Sequence, residues 1–228
     1  MATERLTVAT NQSQIQTVDD PSKETKGART RALIKQVIID LVGNSSPLEV
    51  TLGDICEGAN VTVGSFYFHF KNKDAALEET AIDVIRDYYA SISSVLGRGG
   101  SIDDQLEQLM HAFVEDYANQ PTRTRLIRMV IPGNTAALQV WEEERRILSQ
   151  GLETMISDAR GSQGGHEILS FFTSEFLLTA TESFLEHLFF GTDQRLQLAV
   201  GSPDLVIKNI AAIWERAILN DNRIGDYL

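Results

Sequence analysis

Apolar residues recur every three or four positions along most of the chain, with short polar breaks between the periodic segments. This spacing places apolar side chains on one face of an α-helix. The pattern predicts nine helices, at about 25–42, 51–60, 63–69, 73–96, 101–120, 122–131, 135–159, 166–190 and 203–219. Between the last two we expect at most one further turn, near 194–199. No segment has a convincing strand pattern, so the sequence predicts an all-α fold.

The segment 51–77, TLGDICEGANVTVGSFYFHFKNKDAAL, carries the most specific local signals. Thr51 and Asp54 have the spacing of a capping box, which begins a helix. Asn60 tolerates the left-handed conformation with which many helices end. Thr62 and Asn72 are predicted caps of the next two helices. Two short helices joined by a tight turn form a helix-turn-helix, whose second helix fits the major groove of DNA.

The net charge of −12 at first argues against nucleic acid as a partner. The charge is unevenly spread, however, because residues 1–75 have a net charge of −1 and the remainder has −11. Within the first part, five bases cluster with a single acid, Glu24; they are Lys23, Lys26, Arg29, Arg31 and Lys35. Lys71 and Lys73 form a second basic pair. Attraction to phosphate depends on the charge that faces the duplex, so we expect DNA contacts at this end only.

The composition favours a cytoplasmic protein. The first twenty residues lack the apolar segment of a signal peptide, and no apolar run approaches the roughly 18 residues of a membrane span. The only cysteine, Cys56, excludes an internal disulfide and is expected either in the core or as a redox switch. Residues 1–22 show no sustained period and are predicted to be a disordered tail.

The helix predicted at about 166–190 is apolar on more than one face. Ile168, Phe172 and Phe176 share one side, while Leu178 and Leu185 lie on another. An outer helix of a monomer needs only one apolar face. Either this helix lies at the centre of the domain, or its second face meets a partner chain. We favour the second, a homodimer in which 166–190 and 203–219 meet their symmetry mates.

The residues of the motif resemble the tetracycline-repressor (TetR) family of bacterial transcriptional regulators. The resemblance covers about 30–77 and depends on Val61, on Thr62–Phe70, on Lys73-Asp74 and on Leu77. Asn60 departs from the glycine that is usual there, but both residues accept the required conformation. The resemblance implies a helix-turn-helix DNA-binding domain at 23–72 and a larger ligand-binding and dimerisation domain at 73–228. It also implies a palindromic operator in double-stranded DNA.

Eight residues are candidates for contact with DNA: Thr51, Thr62, Val63, Gly64, Ser65, Tyr67, His69 and Lys73. The small residues Thr62 to Ser65 open the second motif helix and can approach base edges closely, and the Val63 methyl groups suit a thymine methyl. Tyr67, His69 and Lys73 are, by resemblance, contacts to the DNA backbone. No arginine or glutamine is placed for a bidentate base contact, so DNA shape should contribute to specificity.

The resemblance further implies that a small molecule enters a cavity in the larger domain and lowers DNA affinity. Candidate wall residues are Met110, Phe113, Tyr117, Met129, Trp141, Phe172 and Phe176. Side chains of these types at helical spacing are, however, core residues more often than cavity walls. An apolar, partly aromatic ligand is expected, and Arg125, Arg128 or His166 can pair with a carboxylate on it.

Two other classes of protein compete with a ligand-controlled repressor. One is a helix-turn-helix regulator that is constitutive or controlled by a protein partner. The other is a helical enzyme, which the sequence disfavours because Gly97–Gly100 lies between helices rather than after a strand. The four histidines lack the spacing of a metal site, so neither a metal nor a cofactor is expected.

Overall fold

The computed structural model describes residues 26–161 and 167–219, and every regular element in those ranges is helical. The helices are α1 Lys26–Asn44, α2 Leu52–Gly58, α3 Val63–His69, α4 Lys73–Ser93, α5 Ile102–Asn119, α6 Pro121–Val130, α7 Thr135–Arg160, α8 Glu167–Phe190, α9 Gln194–Val200 and α10 Pro203–Leu219. A short 3₁₀ turn, Ile131–Gly133, follows α6. The all-α prediction is confirmed, and the bounds predicted for the seven longer helices agree to within three residues.

The described part of the chain has ten α-helices rather than nine, because the connection before α10 folds into α9. The Asp193 carboxylate caps this helix by accepting hydrogen bonds from the amides of Arg195 and Leu196. Both distances are short enough for normal hydrogen bonds, 2.9 and 3.3 Å. The predicted tail, residues 1–22, lies outside the described residues.

The predicted caps of the helix-turn-helix are confirmed. Thr51 and Asp54 form a reciprocal capping box at the start of α2. The Thr62 hydroxyl accepts from the amide of Ser65 at α3, and the Asn72 side chain accepts from the amide of Ala75 at α4. Asn60 has a φ of 50°, the left-handed conformation that the turn requires. The path of the backbone from 51 to 75 therefore follows from local sequence signals.

We expect Asn60→Ala to destabilise the protein by about 1 kcal/mol, because alanine lacks the side chain that eases a positive φ. Asn60→Gly should be neutral or slightly stabilising, since glycine adopts this conformation without steric cost. Chemical denaturation of both variants at one protein concentration measures the difference. Equal stability of Asn60→Ala and Asn60→Gly would show that the turn relaxes without cost.

Phe66 on α3 is fully buried and anchors the helix-turn-helix on α1 and α2. It lies in the same core as Ile34, Ile38 and Ile55, which are also fully buried. Phe70 extends this core, with its ring centroid 5.5 Å from that of Phe66. Cys56 belongs to the core and is 6% exposed, and burial raises the pKa of its thiol, which disfavours the reactive thiolate. Of the two expectations for Cys56, a core residue or a redox switch, its burial fits the core residue.

Four helix pairs form most of the remaining packing: α4 with α7, α5 with α10, α7 with α8, and α1 with α6. The α1–α6 approach is unusually close, because a Cβ added at Gly43 would lie 2.3 Å from the Thr122 Cβ. Arg125 of α6 also donates a hydrogen bond of 3.0 Å to the carbonyl of Gly43, near the end of α1. The short helix α6 therefore holds α1 against the rest of the molecule.

Helices α8 and α10 expose a continuous set of large apolar side chains. On α8, Ile168, Phe171, Phe172 and Phe176 are all more than half exposed. An apolar groove of about 450 Å³ runs from Phe176 to Ile213 of α10. Beneath it, Trp214 is buried and donates a hydrogen bond of 2.9 Å to the Thr181 hydroxyl.

None of the described helices combines the length and apolarity that a membrane crossing requires.

Candidate DNA-binding surface and ligand cavity

One face of α3 is exposed while the opposite face is packed in the core. Thr62, Val63, Gly64 and Tyr67 are exposed, and Ser65 is partly so. A Cβ added at Gly64 would meet only the Thr62 hydroxyl, at 3.9 Å, so the surface there is open to a partner. These five predicted residues are brought together on one surface at the start of α3.

Phe68 joins this surface, although the sequence analysis did not single it out. Its side chain is 83% exposed and its ring meets the His69 ring edge-on at a centroid distance of 5.2 Å. Phe68 follows Gly64 by four residues, which places both on the same side of a helix. This four-residue spacing from Gly64 is the sequence signal that could have identified Phe68 as part of the exposed face. Together with Val63 and Tyr67, which are 48% and 54% exposed, Phe68 forms a cluster of exposed apolar side chains, and such a cluster indicates a partner.

Arg31 of α1 fixes the end of α3 and already has several protein partners. Its guanidinium donates to the carbonyl of His69, pairs with Glu79 of α4, and lies 4.4 Å from the centroid of the Phe70 ring. Lys35 likewise pairs with Asp83 of α4. The predicted basic cluster is therefore partly neutralised by acids that are distant in sequence. Lys23 of that cluster lies outside the described residues.

Lys73 is partly buried at the start of α4, and its ammonium group already has protein partners. It donates to the carbonyl of Val50 at 2.8 Å and to that of Pro47 at 3.4 Å. These hydrogen bonds close the loop that precedes α2. Three N–H donors are available on an ammonium group, so one remains for a phosphate.

Thr51 is exposed beside this loop, but its hydroxyl serves the capping box. It donates to the Asp54 carboxylate at 2.7 Å and accepts from the Asp54 amide at 3.2 Å. The hydrogen bonds from the Thr51 amide and hydroxyl lower the pKa of the Asp54 carboxyl. His69 is partly buried at the end of α3. Both residues therefore lie away from the start of α3, Thr51 as the N-cap of α2 and His69 at the last position of α3.

A cavity of about 490 Å³ lies between α4, α5, α6, α7 and α8. Its wall contains four aromatic residues, Tyr88, Tyr89, Tyr117 and Trp141. The polar part of the wall consists of Arg128, Glu182 and Glu186 together with the hydroxyls of Thr124, Thr179 and Ser183. This volume is within the range of cavities that hold drug-sized molecules.

Arg145 organises the polar side of this cavity from α7. Its guanidinium donates to Glu175 at 2.8 Å, to Glu182 at 3.2 Å and to the Thr179 hydroxyl at 2.7 Å. The Tyr89 hydroxyl donates to the other oxygen of Glu182 at 3.1 Å. One guanidinium therefore faces two carboxylates, of which Glu182 lies in the cavity wall.

Burial raises the pKa of the Glu182 carboxyl above its ordinary value, although Arg145 and Tyr89 stabilise its charged form and limit the rise. Burial and the charge of Glu182 also raise the pKa values of Tyr89 and Tyr117. Both phenols therefore stay protonated at neutral pH and act as hydrogen-bond donors. The buried Tyr88 hydroxyl meets no hydrogen-bond partner among the described residues.

The seven residues predicted as a ligand pocket are not brought together in one cavity. Only Tyr117 and Trp141 line it. Met110 and Phe113 share the face of α5 that carries Tyr117, but they lie nearer its start and are fully buried in the core. The remaining three are exposed: Met129 on α6 at 39%, and Phe172 and Phe176 on α8 at 64% and 63%.

Three basic residues were predicted as possible partners of a carboxylate on the ligand, and the structure gives them different surroundings. Arg128 lines the cavity, where it pairs with Glu186 and lies 5.2 Å from the centroid of the Phe190 ring. Arg125 points to the Gly43 carbonyl instead. His166 lies outside the described residues. Within those residues, no group of three or more side chains is arranged to hold a metal ion.

Sequence comparison finds a family for the helix-turn-helix segment. Residues 46–80, from the loop before α2 into the first turns of α4, match the profile described as bacterial regulatory proteins of the tetR family. No curated protein matches the chain in sequence.

Solved structures of bacterial regulators share the fold. A TetR-family regulator from Mesorhizobium loti superposes with a TM-score of 0.66 at 17% identity, covering 86% of this chain and 98% of its own. A regulator of the same family from Rhodococcus gives 0.64 at 14% identity, covering 84% and 97%. The fatty acid degradation regulator FadR from Bacillus halodurans gives 0.63 at 12% identity, covering 84% and 96%. The predicted resemblance is therefore confirmed: the chain has the helix-turn-helix of the TetR family of bacterial regulatory proteins and the all-α fold of that family's regulators.

Proposed function

We propose that this protein is a dimeric transcriptional repressor that binds a palindromic operator through α3 and leaves it when a small molecule fills the 490 Å³ cavity. Residues 23–72 would form the DNA-binding domain, and residues 73–228 the ligand-binding and dimerisation domain. The observation that carries the proposal is the exposed face of α3, held by the buried Phe66 and flanked by an open surface at Gly64. A helix presented in this way fits a major groove.

The chemistry of this face suits modest base readout. The hydroxyls of Thr62 and Ser65 can bond bases or phosphates, and the Val63 methyl groups can contact a thymine methyl. Phe68, which is 83% exposed, adds an apolar surface of the same kind. Because none of these side chains makes a bidentate base contact, the remaining specificity is assigned to DNA shape.

The exposed apolar side chains of α8 and α10 support the proposed dimer. Phe171, Phe172 and Phe176 of α8 are each more than half exposed, as is Ile213 of α10. A contiguous apolar face of this kind on a soluble regulator indicates a partner surface. Pairing two copies through it would present two α3 helices to successive half-sites of one duplex.

Helix α6 supports the link between the cavity and DNA binding. Thr124, Ile127 and Arg128 line the cavity, while Thr122 and Arg125 contact the end of α1 at Gly43. A ligand that binds one position of α6 more tightly than another would move α1, and with it the spacing of the two α3 helices. Such a ligand shifts the equilibrium only by its difference in affinity for the two arrangements.

Selection of bound sequences from random duplex DNA tests the proposal. The selected duplex is then titrated by fluorescence anisotropy at several salt concentrations. We expect a palindrome and a steep loss of affinity with salt, as phosphate contacts predict. A folded, dimeric protein that enriches no sequence would contradict the assignment of α3 to DNA. Operator binding that no metabolite extract weakens would instead favour a constitutive or protein-controlled regulator.

Variants of the α3 face should separate affinity from specificity. Tyr67→Ala and Lys73→Ala should weaken binding to all duplexes by about tenfold each, the loss of one hydrogen bond to a charged group. Val63→Ala and Ser65→Ala should change which sequences are selected. Arg98→Ala is a matched control for Lys73→Ala, because Arg98 lies beyond the other end of α4, roughly 30 Å away. Unchanged binding in all four variants, the three on α3 and Lys73→Ala at the start of α4, would exclude this surface.

A further inference from the structure

We propose that the cavity selects an organic cation with aromatic character, bound against the rings of Tyr89, Tyr117 and Trp141 with its charge near Glu182. The inference depends on the proposed ligand-binding role of the cavity and adds the charge class of the ligand. It replaces the acidic ligand that Arg128 alone would suggest.

The aromatic wall is the first observation. Four rings line the cavity, and Tyr117 is braced from behind by Phe189 and Phe190 at centroid distances of 5.8 and 5.9 Å. The face of an aromatic ring carries negative electrostatic potential and attracts cations. The structure already uses ring faces in this way, since the Arg145 guanidinium lies 5.9 Å from the Trp141 ring.

The charge balance of the wall is the second observation. Arg145 is shared by Glu175 and Glu182, so this group of three has one carboxylate more than it has cations. The Glu182 side chain is only 17% exposed, which leaves little water to solvate its charge. A buried carboxylate without full compensation is costly, and a ligand cation supplies the missing charge. A ligand anion would add a like charge at the same place.

The position of Arg128 argues against an anion at the mouth of the cavity. Arg128 pairs with Glu186 and packs on the Phe190 ring, so its charge is already compensated. An anionic ligand would have to share the Arg128 guanidinium with Glu186, and so approach a like charge, whereas a cation leaves this ion pair intact.

Two pairs of probes with matched shape test the sign of the charge. Tetraphenylphosphonium and tetraphenylborate share one bulky shape, and N-methylquinolinium and 2-naphthoate share a flat one. Binding of each to the purified full-length protein without DNA is measured by isothermal titration calorimetry. We expect at least one cation to bind with one site per protomer, and tighter than its anion by about tenfold or more.

Charge-neutralising variants locate the site. Glu182→Gln should weaken cation binding by about tenfold, and Glu186→Gln, at the more exposed rim, by a smaller factor. Glu186→Gln keeps the test valid if Glu182→Gln fails to fold. Glu142→Gln is the matched control, because Glu142 lies exposed on α7 outside the cavity wall and should leave binding unchanged.

The outcomes separate this inference from the proposed function. The cation assignment is overturned if no probe binds, if the two charge types bind equally, or if the anions bind more tightly. It is also overturned if cations bind but neither Glu182→Gln nor Glu186→Gln weakens their binding. Operator binding does not enter this measurement. If the protein binds an operator but does not prefer the cations, the proposed regulatory function stands and the cation assignment is wrong. If it binds cations but no DNA, the cation assignment stands and the regulatory function is wrong.

Discussion

Arg145→Met is expected to lower the free energy of unfolding by about 3 kcal/mol at neutral pH, the cost of removing one partner from a buried ion pair. The Arg145 side chain is 15% exposed and makes hydrogen bonds to Glu175, Glu182 and Thr179. Methionine fills a similar volume but leaves two carboxylates without a cation. Chemical denaturation at a fixed protein concentration measures the loss, since the stability of a dimer depends on concentration.

The neighbouring variant Arg146→Met is the control. Arg146 is about half exposed, and within the described part of the chain it forms an ion pair with Glu143 alone, one turn away. Its loss should therefore cost less than about 1 kcal/mol. Adding Glu182→Gln to Arg145→Met should recover part of the loss, because it removes one unpaired charge. If Arg145→Met and Arg146→Met are similarly stable, water must solvate the carboxylates of Glu175 and Glu182 when Arg145 is absent.

The deficit of Arg145→Met should shrink as the pH is lowered. Without the guanidinium the pKa of Glu182, already raised by burial, rises further, so its protonated form is favoured in the folded state. A carboxyl whose pKa is raised in the folded state destabilises the fold fully at pH values above that pKa, and the destabilisation fades as the pH falls towards the lower pKa of the unfolded state. The difference between wild type and variant should therefore be largest at neutral pH and smaller at pH 5.

Gly43→Ala is expected to destabilise the protein by about 2 kcal/mol, although alanine normally favours a helix by about 1 kcal/mol over glycine. The added methyl group would lie 2.3 Å from the Thr122 Cβ and 2.7 Å from its Cα, so α1 and α6 must separate. Separation also weakens the hydrogen bond from Arg125 to the Gly43 carbonyl. Urea denaturation at fixed protein concentration measures the cost.

Gly53→Ala provides the matched control, because a Cβ at Gly53 in α2 meets only the Thr51 hydroxyl, at an ordinary 3.4 Å. That variant should be neutral or more stable than wild type. Adding Thr122→Gly to Gly43→Ala should restore part of the stability, but not all, since the backbone Cα still approaches closely. If Gly43→Ala is as stable as Gly53→Ala, α1 and α6 can separate slightly without cost. A small movement of α6 would then not be passed on to α1.

The helix-turn-helix was predictable because its signals are local. The three caps, Thr51, Thr62 and Asn72, each accept a hydrogen bond from a backbone amide three residues away. The positive φ of Asn60 is a conformation that asparagine itself tolerates. Phe66 and Phe70 are both buried in the core on which these helices pack. Whether the exposed residues of α3 contact DNA remains a prediction.

The cavity was not predictable, because its wall depends on contacts between distant segments. Spacing along α5 indicates that Phe113 and Tyr117 face inwards, but it does not say which of them meets empty space. The polar side is formed by Arg145 and Glu182, which are 37 residues apart, and Glu182 reads in the sequence as an ordinary surface acid. The pairing of Arg31 with Glu79 escaped prediction for the same reason.

The two tryptophans of the chain lie at its two proposed working surfaces, Trp141 in the cavity wall and Trp214 beneath the α8–α10 groove. Each side chain is therefore a built-in optical reporter of a different event. When only tryptophan is excited, a Trp214→Phe protein would emit from the cavity and follow ligand occupancy, while a Trp141→Phe protein would emit from the α8–α10 groove and follow association. Their emission can be recorded without attaching a dye, so the order of ligand entry and subunit rearrangement becomes measurable in a single stopped-flow series.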